Sequence, residues 1–149
     1  KPAGVAMAER ARLIPHHAAL IGRWREGWTQ MLRGPIAETV AILAELRGRG
    51  LRLYALTNFS NETWPVALKR FGFLGWFDDA VVSGEHGLVK PDRRIFELAI
   101  RRFALVPAQT VFIDDRPENV AAARALGLHA LHYTGAAKLR AELEALGLL

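Results

Sequence analysis

The sequence predicts an α/β fold of three layers, a parallel β-sheet with helices packed on both faces. Three observations predict it. Short apolar runs bounded by glycine or by a polar residue recur at 51–57, 80–83, 111–114 and 129–132. Between them lie segments of about ten residues whose apolar side chains return at helical spacing. Strands that alternate in this way with helices form right-handed βαβ units, and βαβ units build parallel sheets. The chain has 149 residues, 51% of them apolar and 23% charged, which suits one domain with a real core.

Residues 1–15 are weakly patterned and end at Pro15. From His16 to Leu32 the apolar residues Ile21, Trp24, Trp28, Met31 and Leu32 fall on one face, which predicts an amphipathic helix outside the strand–helix alternation. Gly34-Pro35 interrupts it, and Pro35 suits the first position of a new helix. That helix carries Ile36, Val40, Leu43 and Leu46 and ends near Gly48–Gly50, with Arg47 and Arg49 favourably placed at its carboxyl end.

The first strand is Leu51–Thr57. A helix with Trp64, Ala67, Leu68 and Phe71 follows and stops at Gly72. Phe73–Phe77 reads as an aromatic connector, Ala80–Ser83 as a strand and Gly84–Lys90 as a loop. Pro91 opens a helix that buries Phe96, Ala99, Ile100 and Phe103. The third strand ends at Asp114, a helix from Pro117 runs to Leu126, His129–His132 is the last strand, and a final helix reaches Leu146.

Composition excludes several classes. There is no cysteine, hence no disulfide framework or thiol chemistry, in keeping with a cytoplasmic protein. No apolar run approaches the roughly 20 residues of a membrane span, so no membrane partner is expected. The net charge of +5 is scattered along helices and reads as solvated faces rather than a nucleic-acid-binding patch. It also suits anionic small molecules such as phosphate esters. Chain processing or trimming is left open by Lys1 at the first position.

The chemistry gathers at three strand ends, which a parallel sheet brings to one edge. Asp114 and Asp115 follow a buried apolar strand. Adjacent carboxylates repel unless a cation or shared proton relieves them, and Mg²⁺ is the natural partner for oxygen ligands. The alternative is that one Asp merely caps the next helix. Thr57 and Asn58 end the first strand and offer a hydroxyl and an amide, or simply cap a helix. Lys90 offers a positive charge, or is a surface lysine. Together these groups make a plausible phosphate site: Thr57, Asn58 and Lys90 on the phosphoryl oxygens, and a metal at the carboxylates. His16-His17 lacks a third ligand at useful spacing and reads as helix-start polarity. His86, His129 and His132 read as structural, and Trp24 and Trp28 as core or a pocket wall.

Leu-Thr-Asn-Phe-Ser at 56–60, Ser-Gly-Glu-His-Gly-Leu-Val-Lys-Pro-Asp at 83–92 and Phe-Ile-Asp-Asp-Arg-Pro-Glu-Asn at 112–119 occur in that order. In this the sequence resembles the haloacid-dehalogenase superfamily of hydrolases, over roughly residues 35 to 149. The resemblance implies a Rossmann-like three-layer fold, with residues 1–33 belonging to a helical cap and 34–149 to the α/β core. It implies catalytic roles for Thr57, Lys90 and Asp115, substrate binding by Thr57, Asn58 and Lys90, and Mg²⁺ binding by Asp115 and Asp114.

One departure stands out. The family places an aspartate nucleophile after its first strand, at the centre of the sheet. Before Thr57 the only acidic residues are Glu9, Glu26, Glu38 and Glu45, and none follows an apolar strand. The expectation is that several tens of upstream residues hold the nucleophile strand and the first part of the cap. The resemblance, with its paired carboxylates, implies a Mg²⁺-dependent phosphatase of a small phosphorylated metabolite, working through an aspartyl phosphate. The alternatives are a 2-haloacid dehalogenase and a non-catalytic phosphate-binding domain.

Overall fold

A computed structural model describes residues 3–32 and 34–149; Lys1, Pro2 and Arg33, read from sequence as part of the cap, lie outside the described residues. The amino-terminal part is helical: α1 (Ala3–Leu13), a 3₁₀ turn at Pro15–His17, α2 (Ala18–Gly22) and α3 (Trp24–Met31). Helix α1 falls in a stretch without an apolar stripe. Its alanines, Ala3, Ala6, Ala8 and Ala11, favour the helix through intrinsic propensity instead. The single helix expected over His16–Leu32 is broken at Arg23, whose N–H is shared between the carbonyls of Ala19 and Leu20. Gly22 weakens the helix just before that point.

The core follows as α4 (Ala37–Gly48), β1 (Tyr54–Thr57), α5 (Trp64–Arg70), β2 (Asp79–Val82), α6 (Ser83–His86), α7 (Arg93–Arg102), β3 (Val111–Asp114), α8 (Pro117–Arg124), β4 (His129–His132) and α9 (Ala136–Ala145). Helix α4 starts two residues after Pro35, because Ile36 is extended and its carbonyl receives the first helical N–H groups. The loop expected at Gly84–Lys90 begins instead within the helical turn α6, which Gly87 closes at φ 65°. Helix α7 begins after Asp92, not at Pro91, since Asp92 caps it by accepting the N–H of Arg94 at 2.9 Å. Strand β1 is shorter than its apolar run: Leu53 is held outside the ladder by paired hydrogen bonds with Asp78, each 2.7 Å.

All strand pairing is parallel, as the alternation requires. β1 pairs with β2 from Tyr54↔Asp79 to Thr57↔Val82, and β3 with β4 from Val111↔His129 to Asp114↔His132. The expected single sheet is, among the described residues, two pairs: β1 and β3 do not bond to each other. Helices cover both faces. On one side Ile95, Phe96 and Ala99 of α7, Phe103 just after it, and Val120 and Ala123 of α8 pack on Tyr54, Leu56, Val81, Phe112 and Ala130. On the other, Ile42 and Leu46 of α4 and Leu139 and Leu143 of α9 pack on Leu53, Val111 and Leu131. Adjacent strand residues such as Val111 and Phe112 thus enter opposite cores, as the pleat demands.

Between β1 and β3 runs a slot of about 890 Å³. Residues 51–57 line one wall and 109–115 the other; α4 and α9 close one face and α7 the opposite one. The slot leaves Ile113, in the middle of a strand, 37% exposed. No helix among the described residues is long and apolar enough to cross a membrane.

Candidate active site

Lys90 joins the carboxyl ends of the two strand pairs. Its Nζ donates to the Leu56 carbonyl of β1 at 2.7 Å and to Asp114 Oδ2 of β3 at 2.7 Å. The ammonium and carboxylate are both nearly enclosed, with 11% and 5% of their side chains exposed. Nζ also lies 5.7 Å from the centre of the Phe112 ring. Thr57, Lys90, Asp114 and Asp115 are thereby brought to one end of the slot, as the strand-end argument requires.

Asp114 is buried at the last position of β3. Its Oδ1 accepts the N–H of Arg116 and the amide of Asn119, each at 2.9 Å, while Oδ2 takes Lys90. Burial pushes its pKa up, but the hydrogen bonds from Lys90, Arg116 and Asn119 and the charge of Lys90 outweigh that. The carboxyl is held below its ordinary range. The helix-capping alternative is thus partly realised: Asp114 ties down the backbone at the start of α8. Both of its oxygens are engaged within the protein.

Asp115 is different. Its side chain is exposed and, among the described residues, makes no hydrogen bond or ion pair, while its carbonyl lies 3.0 Å from His132 Nε2. The Thr57 hydroxyl likewise bonds to nothing among the described residues, at the end of β1. Asn58, expected to face a substrate, spends its amide on the chain: Nδ2 donates to the Lys90 carbonyl at 2.9 Å and Oδ1 accepts the Lys90 N–H at 2.7 Å.

The sequence reading passed over three supporting residues. Asn119, 2% exposed, turns back from the first turn of α8 to Asp114. Its spacing, five residues after the strand-end carboxylate, was the available signal. Ser83 Oγ and the Gly84 N–H both donate to the Phe59 carbonyl, at 3.1 and 2.9 Å. They fix the loop that follows Thr57; they open the 83–92 motif, but nothing in its sequence assigns them this contact. Trp28 of α3 meets Phe59 edge-on at 5.5 Å, and Phe59 meets Trp64 in the same way at 5.4 Å, so the leading helices touch the core beside this loop.

The donor set fits a hard dication in part. Asp115 is an available carboxylate beside a second one, as Mg²⁺ prefers. Among the described residues no three His, Asp or Glu side chains form a full coordination shell. Any metal here takes its further oxygens from other groups.

Comparison with known proteins agrees with this geometry. The sequence model of the haloacid dehalogenase-like hydrolases matches residues 15–127. The chain is 33% identical over 100 residues to the sesquiterpene phosphatase astK of Aspergillus oryzae, covering 67% of this chain and 51% of the relative. It is 37% identical over 95 residues to a phosphoserine phosphatase of Thermus thermophilus, covering 63% and 38%. It therefore spans about half, or less, of the length of these relatives. Among solved structures it is similar to a predicted HAD-like hydrolase of Porphyromonas gingivalis, with a TM-score of 0.71, 25% identity and coverage of 89% and 66%. A HAD family enzyme of Bacteroides thetaiotaomicron in complex with magnesium and inorganic phosphate gives a TM-score of 0.56, 26% identity and coverage of 63% and 51%. With its parallel strand pairs, its clamped lysine and its strand-end carboxylates, the chain belongs to the haloacid dehalogenase-like hydrolases.

Proposed function

We propose that this chain supplies the phosphoryl-binding and metal-binding residues of a Mg²⁺-dependent phosphatase that acts on a small phosphorylated metabolite. One observation carries the reading. At the shared strand end, the Thr57 hydroxyl and the Asp115 carboxylate have no partner among the described residues, while the Lys90 ammonium is held by Asp114 and Leu56. A donor, a cation and a free carboxylate side by side suit a phosphoryl group and its counter-ion.

Thr57 donates a hydrogen bond to a phosphoryl oxygen. Lys90 offsets the negative charge that develops there, and Asp114 keeps its ammonium in place. Asp115 is the direct metal ligand, with Asp114 acting through Lys90. Bound Mg²⁺ would neutralise phosphate charge and let an anionic nucleophile approach. In the proposed reaction a carboxylate oxygen attacks phosphorus, and the ester oxygen leaves with its electron pair and takes up a proton. Water then cleaves the acyl phosphate to inorganic phosphate and restores the carboxylate. Relatives named as phosphatases support this class of substrate, and a magnesium and phosphate complex in a similar structure supports the cofactor.

The slot between β1 and β3 supports a location for the nucleophile. Its walls are largely apolar, and each presents a strand edge without a ladder partner among the described residues. An apolar small molecule would leave those peptide groups unpaired, whereas a strand satisfies them. We assign the slot to a central parallel strand contributed from outside these 149 residues, ending in the attacking aspartate. Residues 1–33 then belong to a cap and 34–149 to the core.

The test is hydrolysis of an aryl phosphate by the complete protein, with Mg²⁺ and with chelator. Turnover should require metal, and Asp115→Asn should abolish it without unfolding the chain. Undiminished turnover in chelator would overturn the metal role. Chloride release from a 2-chloro acid, without phosphate release, would replace the phosphatase by a dehalogenase.

A further inference from the structure

We infer that Asn58 is a positioning residue for Lys90. The inference rests on the phosphatase reading for its kinetic consequences, but its structural part stands alone.

An amide side chain offers two N–H donors and a carbonyl oxygen with two lone pairs. In Asn58 one N–H and the oxygen serve a single residue 32 positions away: Nδ2 donates to the Lys90 carbonyl at 2.9 Å and Oδ1 accepts the Lys90 N–H at 2.7 Å. This pair reproduces the bonding of a strand ladder where no ladder exists. It sets the backbone of Lys90 against the end of β1, one residue beyond Thr57. From that fixed backbone the side chain of Lys90 reaches Leu56 and Asp114, both at 2.7 Å. Every polar end of Lys90 is therefore held, at the backbone by Asn58 and at the ammonium by Leu56 and Asp114.

The same loop is fastened a second time, by Ser83 and Gly84 on the Phe59 carbonyl. Asn58 thus stands on a segment that cannot drift, and so does the residue it fixes. A group that competed for these two hydrogen bonds would release the backbone of Lys90. An unclamped lysine carries several rotatable bonds, and misplacement of a charged group by about 1 Å can cost on the order of 100-fold in rate.

The test has two readouts. In the first, the ¹H–¹⁵N signal of the Lys90 ammonium is followed by NMR and assigned with Lys90→Arg. A held ammonium exchanges its protons slowly enough to be seen. Asn58→Ala should lose or broaden this signal while the circular dichroism spectrum stays unchanged. Thr57→Val, which removes an unpartnered hydroxyl, should keep the signal. If Asn58→Ala does not fold, Asn58→Asp retains the acceptor for the Lys90 N–H and loses the donor, and should weaken the signal in the same sense. An unaltered Lys90 signal in the folded variant overturns the inference.

The second readout is aryl phosphate hydrolysis by the complete protein. Asn58→Ala should lower kcat about 100-fold with KM unchanged. The double variant with Lys90→Ala should be no slower than Lys90→Ala alone, as expected for two residues acting as one unit. A raised KM with unchanged kcat would make Asn58 a substrate contact and overturn the inference. If the protein itself hydrolyses no phosphate ester, the phosphatase reading fails and the Lys90 signal alone decides the role of Asn58.

Discussion

Asp114 has the most neighbours to satisfy and the least freedom of any group at the site. Its carboxylate is buried, and three donors, from Lys90, Arg116 and Asn119, converge on it. Those donors hold its pKa below the ordinary carboxylate range despite burial. A carboxyl with a depressed folded-state pKa contributes stability above its unfolded value of about 3.9 and loses it as pH falls through the folded value. Urea unfolding should therefore show a steep loss of stability below about pH 4. Asp114→Asn should be less stable near neutrality and flatter in acid; an unchanged acid slope in that variant would show that Asp114 contributes nothing to it. The double carboxylate was legible in the sequence because two adjacent aspartates after an apolar run are unusual. Which oxygen does what was not legible. Sequence spacing cannot say that Asp114 turns inward to Lys90 and Asn119 while Asp115 turns out. Asn58 illustrates the same limit: its residue type suits a ligand, and only the fold shows that its amide clamps the backbone of Lys90.

At the scale of elements, the connection after β1 is set by how closely α6 approaches it. A Cβ on Gly84 would lie 2.5 Å from the Asn61 nitrogen and 2.9 Å from the Phe59 carbonyl oxygen, both backbone atoms. Neither can swing aside as a side chain would, so the loop itself has to move. Gly84→Ala should cost on the order of 1–3 kcal/mol, as overpacking does, and should reduce phosphate hydrolysis more than a surface substitution does. Thermal unfolding and turnover measured on one preparation check both effects; a fully stable, fully active variant would mean that the Phe59–Asn61 segment is not held in place by α6. This contact joins residues far apart in sequence and leaves no periodic trace. The strands and core helices do leave one. Phe96, Ala99 and Phe103 of the α7 face, and the runs of β3 and β4, read correctly from spacing because period and burial coincide there. Helix α1 and the break at Arg23 did not, since alanine content and a local bend carry no apolar period.

For the molecule as a whole, the division between β1 and β3 governs stability. Each strand pair is packed by helices on both faces, yet the two pairs meet across an open slot. Peptide N–H groups on the β1–β2 and β3–β4 ladders should exchange slowly with deuterium. Those on the slot edges of β1 and β3 should exchange fast in this chain and become protected when a strand fills the slot. Equal protection of both edges in this chain alone would show that the slot is closed in solution. The sequence announced this division only indirectly, since no acidic residue before Thr57 follows an apolar strand.

The Lys90–Asp114 pair has one more effect, on alignment. An incoming strand would run toward an ammonium already seated between Leu56 and Asp114. Because successive side chains of a strand face opposite layers, a slip of one position would exchange its inward and outward sets. Lys90 would act as an end stop against such a slip: an acidic side chain arriving there would be attracted, and an apolar one left facing a charge. In the proposed arrangement the ion pair would thus bias the register of its neighbour by charge at one terminus, which the largely apolar walls of the slot would not.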